Sequence, residues 1–354
     1  MQNKIRMLAG CMAIALLLSL TGSFSALAEE IPNTTQIPEI PIEIQPAQTA
    51  PPEEPEETLP PIVTYTVDTE SEIYRICDEL AKNMESDQIL VYDSTNDQIL
   101  YTRSNEGQKL YPASVTKLFS AWVALQYLDP WEAVTVTDAL DLVQPGSSIA
   151  YLGKWHQLYV RTVVEGMMLP SGNDAAMVLA VAAGRRIAQD ESLPAAEAMQ
   201  VFVAEMNQKA KELGFERSHF SNPDGFHIGS HYTCLNDMAR IAKLALDNSV
   251  IASYIRRYKD EVTFLSGHTI TWENTNLFLN PEKGFYRGDA LGMKTGYTRQ
   301  AEYCLMSAFR CRDGRILVIG SFGCADEYAR YREINALVNA CQNYWATVNT
   351  QKVN

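Results

Sequence analysis

Histidine is scarce in this chain, five in 354 residues, and none falls in an HExxH pattern. His227 and His231 could be imagined as a metal pair, but no carboxylate or thiol is spaced to complete a site. No metal and no other cofactor is expected. The seven cysteines lack tight spacing, and most of the six beyond Cys11 sit in apolar patterns, so they read as small buried hydrophobes. Positive charge is also in short supply. Lys and Arg number 29 against 43 Asp and Glu, a net charge of −14, which argues against a nucleic-acid partner. Beyond Leu20 no stretch is long and apolar enough to cross a bilayer.

What is present begins with an export signal. Lys4 and Arg6 precede a nearly continuous apolar run from Leu8 to Leu20, and Ala26-Leu27-Ala28 has the small-x-small form of a cleavage site. Residues 1–28 are therefore expected to be removed, leaving Glu29 first and the protein outside the cytoplasmic membrane. Contact with that membrane is expected at most through an uncleaved N-terminal segment. Residues 29–61 carry nine prolines and eight glutamates with no Lys or Arg, a composition that cannot bury enough apolar surface to fold. Residues 29–67 are read as a disordered spacer and 68–350 as the folded domain.

Within that domain the hydrophobic period alternates. Glu70–Met84 is predicted as a helix, with Ile73, Ile76, Leu80 and Met84 on one stripe. Gln88–Tyr92 and Gln98–Thr102 are predicted as a hairpin. Pro112 opens a helix running through Leu125. The middle is helical over 160–168, 174–188, 197–213 and 237–248. Strands return at 302–309 and 315–322, with Lys294-Thr295-Gly296 one strand earlier, and a helix from Glu327 to Trp345 closes the chain. Strands at both ends with helices between suggest one sheet built from both ends of the chain, with an inserted helical lobe.

Three short blocks carry chemistry. Ser114 lies three residues before Lys117 on one helical face, a spacing that lets an amine take the proton of a hydroxyl without histidine. Ser171-Gly172-Asn173 and Lys294-Thr295-Gly296 follow in order. Each alone has an ordinary reading as a helix cap, a turn or a strand end. Together, in this order, they resemble the triple set Ser-x-x-Lys, Ser-Asp-Asn and Lys-Thr-Gly of penicillin-binding proteins and serine β-lactamases.

From about residue 70 to 347 the chain resembles the low-molecular-mass penicillin-binding proteins, the serine D-alanyl-D-alanine carboxypeptidases. The matching blocks are Tyr-Pro-Ala-Ser-Val-Thr-Lys at 111–117, Met-Leu-Pro-Ser-Gly-Asn-Asp-Ala-Ala at 168–176, Phe-Ser-Asn-Pro-Asp-Gly-Phe at 220–226, His231-Tyr232-Thr233, Asn274-Thr275-Asn276 and Gly-Met-Lys-Thr-Gly-Tyr-Thr at 292–298. The resemblance implies an α+β fold: a five-stranded antiparallel sheet flanked by helices, a helical lobe, and a groove between them. It also implies that Cys77 and Cys341 lie near each other, because the first and last helices of such a fold pack side by side.

The roles implied are Ser114 as nucleophile, Lys117 as base, and Ser171 as proton relay to the leaving nitrogen. Asn173 would hold the substrate amide. Lys294 and Thr295 would bind the terminal carboxylate, with Gly296 allowing close approach. Backbone N–H groups of Ser114 and Tyr297 would form the oxyanion hole. The substrates implied are peptidoglycan stem peptides, with β-lactams as covalent inhibitors.

Arg299-Gln300 and Glu302 depart from the family pattern, which has an acidic pair and a small residue there, and are expected to alter the groove rim. A serine β-lactamase needs a glutamate-activated water, typically in a Glu-x-x-Leu-Asn loop, and none follows Ser171. A non-catalytic wall-peptide module is the other alternative, against which the intact blocks argue. The residues do not separate carboxypeptidase from endopeptidase activity.

Overall fold

Alternation along the strands decides the architecture. In β1 (Gln88–Asp93) Leu90 and Tyr92 belong to one hydrophobic core while Ile89 and Val91 belong to another. The same division recurs in β8 (Glu302–Arg310), with Met306 and Ala308 against Leu305 and Phe309. It appears again in β9 (Ile316–Cys324), with Val318 and Phe322 against Leu317 and Ile319. Successive side chains point to opposite faces, so these strands are apolar on both and must be covered on both. The result is a three-layer α+β sandwich.

The computed structural model describes residues 65–353 except 105–107 and 216. The signal at 1–28 and residues 29–64 of the spacer lie outside the described residues. Tyr65, the first described residue, is already tied to the fold: its hydroxyl donates to Asp97 Oδ1 at 2.7 Å. The five-stranded sheet runs β2 (Gln98–Arg103), β1, β9, β8, β7 (Ala290–Thr298), every pair antiparallel. Both ends of the chain thus build it, and β7 is an edge. One face is covered by α1 (Glu72–Ala81) and α8 (Ala329–Val353), whose buried residues share one core with the sheet. The other faces the lobe, formed by α2 (Lys117–Ala124), α3 (Val160–Met168), α4 (Asn173–Ala188), α5 (Ala195–Glu212), α6 (Leu235–Asp247) and α7 (Ser249–Ile255).

Two differences from the sequence reading matter. The helix opened by Pro112 is not a continuous α-helix: Ala113–Thr116 is a 3₁₀ turn, and α2 starts only at Lys117. Two small two-stranded antiparallel sheets, β3 (Ala133–Thr135) with β4 (Gln157–Tyr159) and β5 (Lys259–Thr263) with β6 (Thr269–Glu273), together with α7, were not foreseen. Their strands are only three and five residues long, too short for apolar periodicity to stand out.

Within the lobe, α4 and α5 pack through Gly184. A Cβ at that position would lie 1.9 Å from the carbonyl oxygen of Ala198. The obstacle is backbone, so relief requires the helices to separate. Gly184→Ala is expected to cost about 1–3 kcal/mol and to lower Tm by about 5 °C in scanning calorimetry, despite alanine's better helix propensity. An unchanged Tm would show that the pair is loosely packed.

Candidate active site

The 3₁₀ turn puts Ser114 and Lys117 in register, because side chains three residues apart eclipse there. Lys117 Nζ donates to Ser114 Oγ at 2.8 Å, to Asn173 Oδ1 at 2.7 Å and to the backbone carbonyl of Asp224 at 2.9 Å. An ammonium has three donors, and these acceptors use all three. Ser114 Oγ in turn lies 3.4 Å from the Asp224 carbonyl. Lys117 is 0% exposed. Burial pulls its pKa down to about 8, against the opposing pull of the Asp224 and Asp174 carboxylates. The turn is strained where it enters: Ala113, just before the nucleophile, has φ +47°.

The second block is braced from outside. Asn173 begins α4, and its Nδ2 donates to Ser147 Oγ at 2.9 Å while its backbone N–H donates to the Ser148 carbonyl at 2.8 Å. Ser148 Oγ donates to the Ser171 carbonyl. Asp174, buried in the first turn of α4, accepts from the N–H groups of Ala150 and Leu152. Ser171 has φ +62° and is buried. Among the described residues no hydrogen bond joins its hydroxyl to Ser114 or Lys117, so Ser171 is near the pair in the fold but not bonded to it.

Edge strand β7 forms the third side. Lys294 is also fully buried, and its Nζ donates to the Thr295 carbonyl at 3.0 Å. Burial, then the neighbouring Lys117 and Arg330 cations, hold its pKa well below the ordinary lysine value. Thr295 Oγ1 is 2.5 Å from Thr275 Oγ1. At Gly296 a Cβ would stand 3.0 Å from Ala113 Cβ, the Pro112 carbonyl oxygen and the Ser114 nitrogen, so a larger residue would press on the nucleophile turn. Tyr297 is 57% exposed, with its ring against Tyr303. Behind the strand the buried Arg330 of α8 donates to the Gly296 and Cys304 carbonyls. At the rim Arg299 is exposed, and Glu302 opens β8 opposite Thr298 with φ +53°.

Two further contributors lie in blocks that the sequence matched to the family without giving them a catalytic role. Asp224 is wholly buried, its Oδ1 accepts from the Phe226 N–H, and its Oδ2 has no hydrogen-bond partner among the described residues. Its carbonyl touches both Ser114 and Lys117. Its signals were its place in the matched block 220–226 and in the turn-forming Asn-Pro-Asp-Gly run there. Gly225 beside it has φ +81°, and a Cβ there would fall 1.8 Å from the Ala113 carbonyl oxygen, which locks this loop against the nucleophile turn. His231 closes the same joint. Its Nδ1 accepts from the Ser221 N–H, so Nε2 carries the proton and donates to Thr116 Oγ1 at 2.8 Å. Burial, then His219 and His227, push its pKa down to about 3. With both ring nitrogens engaged it is not free to pair with His227 around a metal.

Three segments far apart in sequence therefore converge on a buried lysine and the half-buried serine it touches, beside an open strand edge. The D-alanyl-D-alanine carboxypeptidase (peptidase S11) family profile matches residues 77–320. A D-alanyl-D-alanine carboxypeptidase of Bacillus subtilis is 28% identical over 273 residues, 76% of this chain and 64% of its own length. One from Streptomyces sp. strain K15 is 32% identical over 231 residues, 63% of this chain and 75% of its own length. This chain thus spans a little under two thirds of the Bacillus relative. The crystal structure of the Streptomyces K15 DD-transpeptidase superposes with a TM-score of 0.65 at 26% identity, covering 73% of this chain and 97% of that one. With the site's three blocks in the order and arrangement described, this chain belongs to the D-alanyl-D-alanine carboxypeptidase family.

Proposed function

We propose that this protein is a serine-type D-Ala-D-Ala carboxypeptidase that trims peptidoglycan stem peptides through an acyl-enzyme on Ser114. The observation that carries the reading is the 2.8 Å contact between Ser114 Oγ and a fully buried Lys117 whose pKa is drawn down to about 8. A lysine in that range has a substantial neutral fraction near neutral pH and can act as general base.

The stem peptide would lie antiparallel to edge strand β7, its terminal carboxylate at Lys294 and Thr295 and its scissile carbonyl oxygen at the N–H groups of Ser114 and Tyr297. Lys117 would accept the Ser114 proton as Oγ attacks the carbonyl carbon. Ser171 would give its proton to the departing D-alanine nitrogen and recover one from the Lys117 ammonium, which leaves Lys117 neutral again, and Asn173 would hold the substrate amide while fixing Lys117. Water would then attack the ester, its proton going to Lys117, which returns it to Ser114 Oγ as the ester bond breaks.

The work would be done outside the cytoplasmic membrane after removal of 1–28, by the domain read as 68–350, to which Tyr65 and Val67, read as the end of the 29–67 spacer, also belong because they pack against its core. N-terminal sequencing of exported protein is expected to begin at Glu29; an intact Met1 overturns the signal reading.

Ser114→Ala is expected to abolish release of D-alanine from a synthetic pentapeptide and covalent labelling by a fluorescent penicillin. Lys117→Ala is expected to lower turnover by about 10³-fold or more, because such residues act as one unit. Label on the Ser114→Ala protein would point to another nucleophile.

Because the base is the neutral amine, kcat/KM is expected to rise with pH through a midpoint near 8. Asp224 holds that midpoint up, since its carboxylate favours the charged amine. Asp224→Asn keeps the acceptor for the Phe226 N–H but removes the charge, so the midpoint is expected to move to lower pH. A midpoint that stays in place or rises would show that Asp224 does not act on Lys117.

A β-lactam would acylate Ser114 through the same groups, but its opened ring stays tethered and shields the ester. The buried glutamate of α3, Glu165, accepts from Arg257 at 3.2 Å and is not bonded to Ser114, Lys117 or Ser171 among the described residues. A missing dedicated base slows deacylation by several factors of ten. Fluorescent penicillin label is expected to persist for many minutes; loss within seconds would favour a β-lactamase.

A further inference from the structure

Helices α1 and α8 close the outer face of the sheet through two narrow apolar stripes. On α1 the stripe is Ile73, Cys77 and Ala81; on α8 it includes Ile334, Val338, Cys341 and Trp345. Cys77 and Cys341 are both 0% exposed, and their sulfurs are 3.9 Å apart across 264 residues of sequence. Among the described residues this is the one cysteine pair whose sulfurs touch. The sulfurs of Cys304 and Cys324 face backbone carbonyls instead.

We propose that Cys77 and Cys341 form a disulfide when the chain folds under oxidising conditions, bolting the first helix of the domain to the last. The sulfurs must close from 3.9 Å to about 2 Å, within reach of side-chain rotation and a small helix shift. The proposal rests on the extracytoplasmic reading only for where it operates in the cell. The chemistry is thiol–disulfide exchange with a small-molecule or protein disulfide as oxidant. The thiolate of one cysteine attacks the donor disulfide and expels one thiolate, giving a mixed disulfide. The second cysteine thiolate attacks the protein sulfur of that intermediate and expels the other. The protein loses two hydrogens, and the donor is reduced to two thiols.

Once the helices have docked, exchange is blocked. Neither sulfur is accessible, and its contact with Cys77, then burial, keeps Cys341 far from its reactive thiolate form. The bond is therefore made during folding, and it would stabilise chiefly by restricting the unfolded chain, the effect being larger for so long a loop. The pair sits on the face of the sheet opposite Ser114, so it does not enter the chemistry.

The test is to unfold and reduce the full chain, refold it in a mixture of oxidised and reduced glutathione, quench by alkylation and map the peptides. A Cys77–Cys341 crosslink as the dominant product is expected, with Cys234, Cys304, Cys311 and Cys324 alkylated. The oxidised protein is expected to melt about 5–10 °C above the same protein after reduction. That difference should vanish in Cys77→Ala and in Cys341→Ala. Alkylation of both cysteines, or linkage of either to another cysteine, overturns the proposal. The assay is independent of the activity reading: refolded protein can be scored separately for penicillin label on Ser114 and for the crosslink.

Discussion

Everything at the active site depends on burying one amine. A lysine ammonium taken out of water must have its donors satisfied or lose its proton. Here Lys117 has three acceptors, and they come from three separate places: Ser114 on the same turn, Asn173 at the head of α4, and the Asp224 carbonyl in the loop before α6. The enclosure that gives the amine its lowered pKa is the same arrangement that aims it at the serine. No single element holds it, so the lobe and the sheet must pack correctly before the pair has its chemistry.

Close approach of backbones is how that packing is reached. Gly296 lets β7 run against the nucleophile turn, and Gly225 lets the Asp224 loop sit on the Ala113 carbonyl. Ala113 and Ser171 adopt left-handed conformations with no glycine's freedom, at a cost of order 1–3 kcal/mol each. Residues 147–152 and His231 supply the hydrogen bonds that hold those conformations in place. The site is stiff because its neighbours leave it no alternative.

The two-sided burial of the strands explains why so much was legible. Continuous apolar runs at 302–309 and 315–322 and the ordered catalytic blocks were strong local signals, and β8 and β9 lie within a residue or two of where periodicity put them. The 3₁₀ turn was not legible, because both helix types place residues three apart on one side; what distinguishes them is the strain at Ala113, set by tertiary contacts. The pairs β3–β4 and β5–β6 have strands too short to leave a clear pattern. Asp224 was hidden for a different reason. Its block, 220–226, was matched, but its part is played by a backbone carbonyl and by a carboxylate oxygen without a hydrogen-bond partner among the described residues, and neither can be assigned from residue type alone.

Charge balance links these observations to the proposed reaction. Lys117 and Lys294 are both fully buried and near enough to repel, and only Lys117 has carboxylates, those of Asp224 and Asp174, favouring its charged form. A substrate carboxylate bound, as proposed, at Lys294 and Thr295 would favour an ammonium on Lys294. That cation would oppose a charge on Lys117 and so increase the neutral fraction the proposed base needs. A ligand without a carboxylate would give the base no such help. On this account recognition of a free C-terminus and activation of the base would share one electrostatic origin.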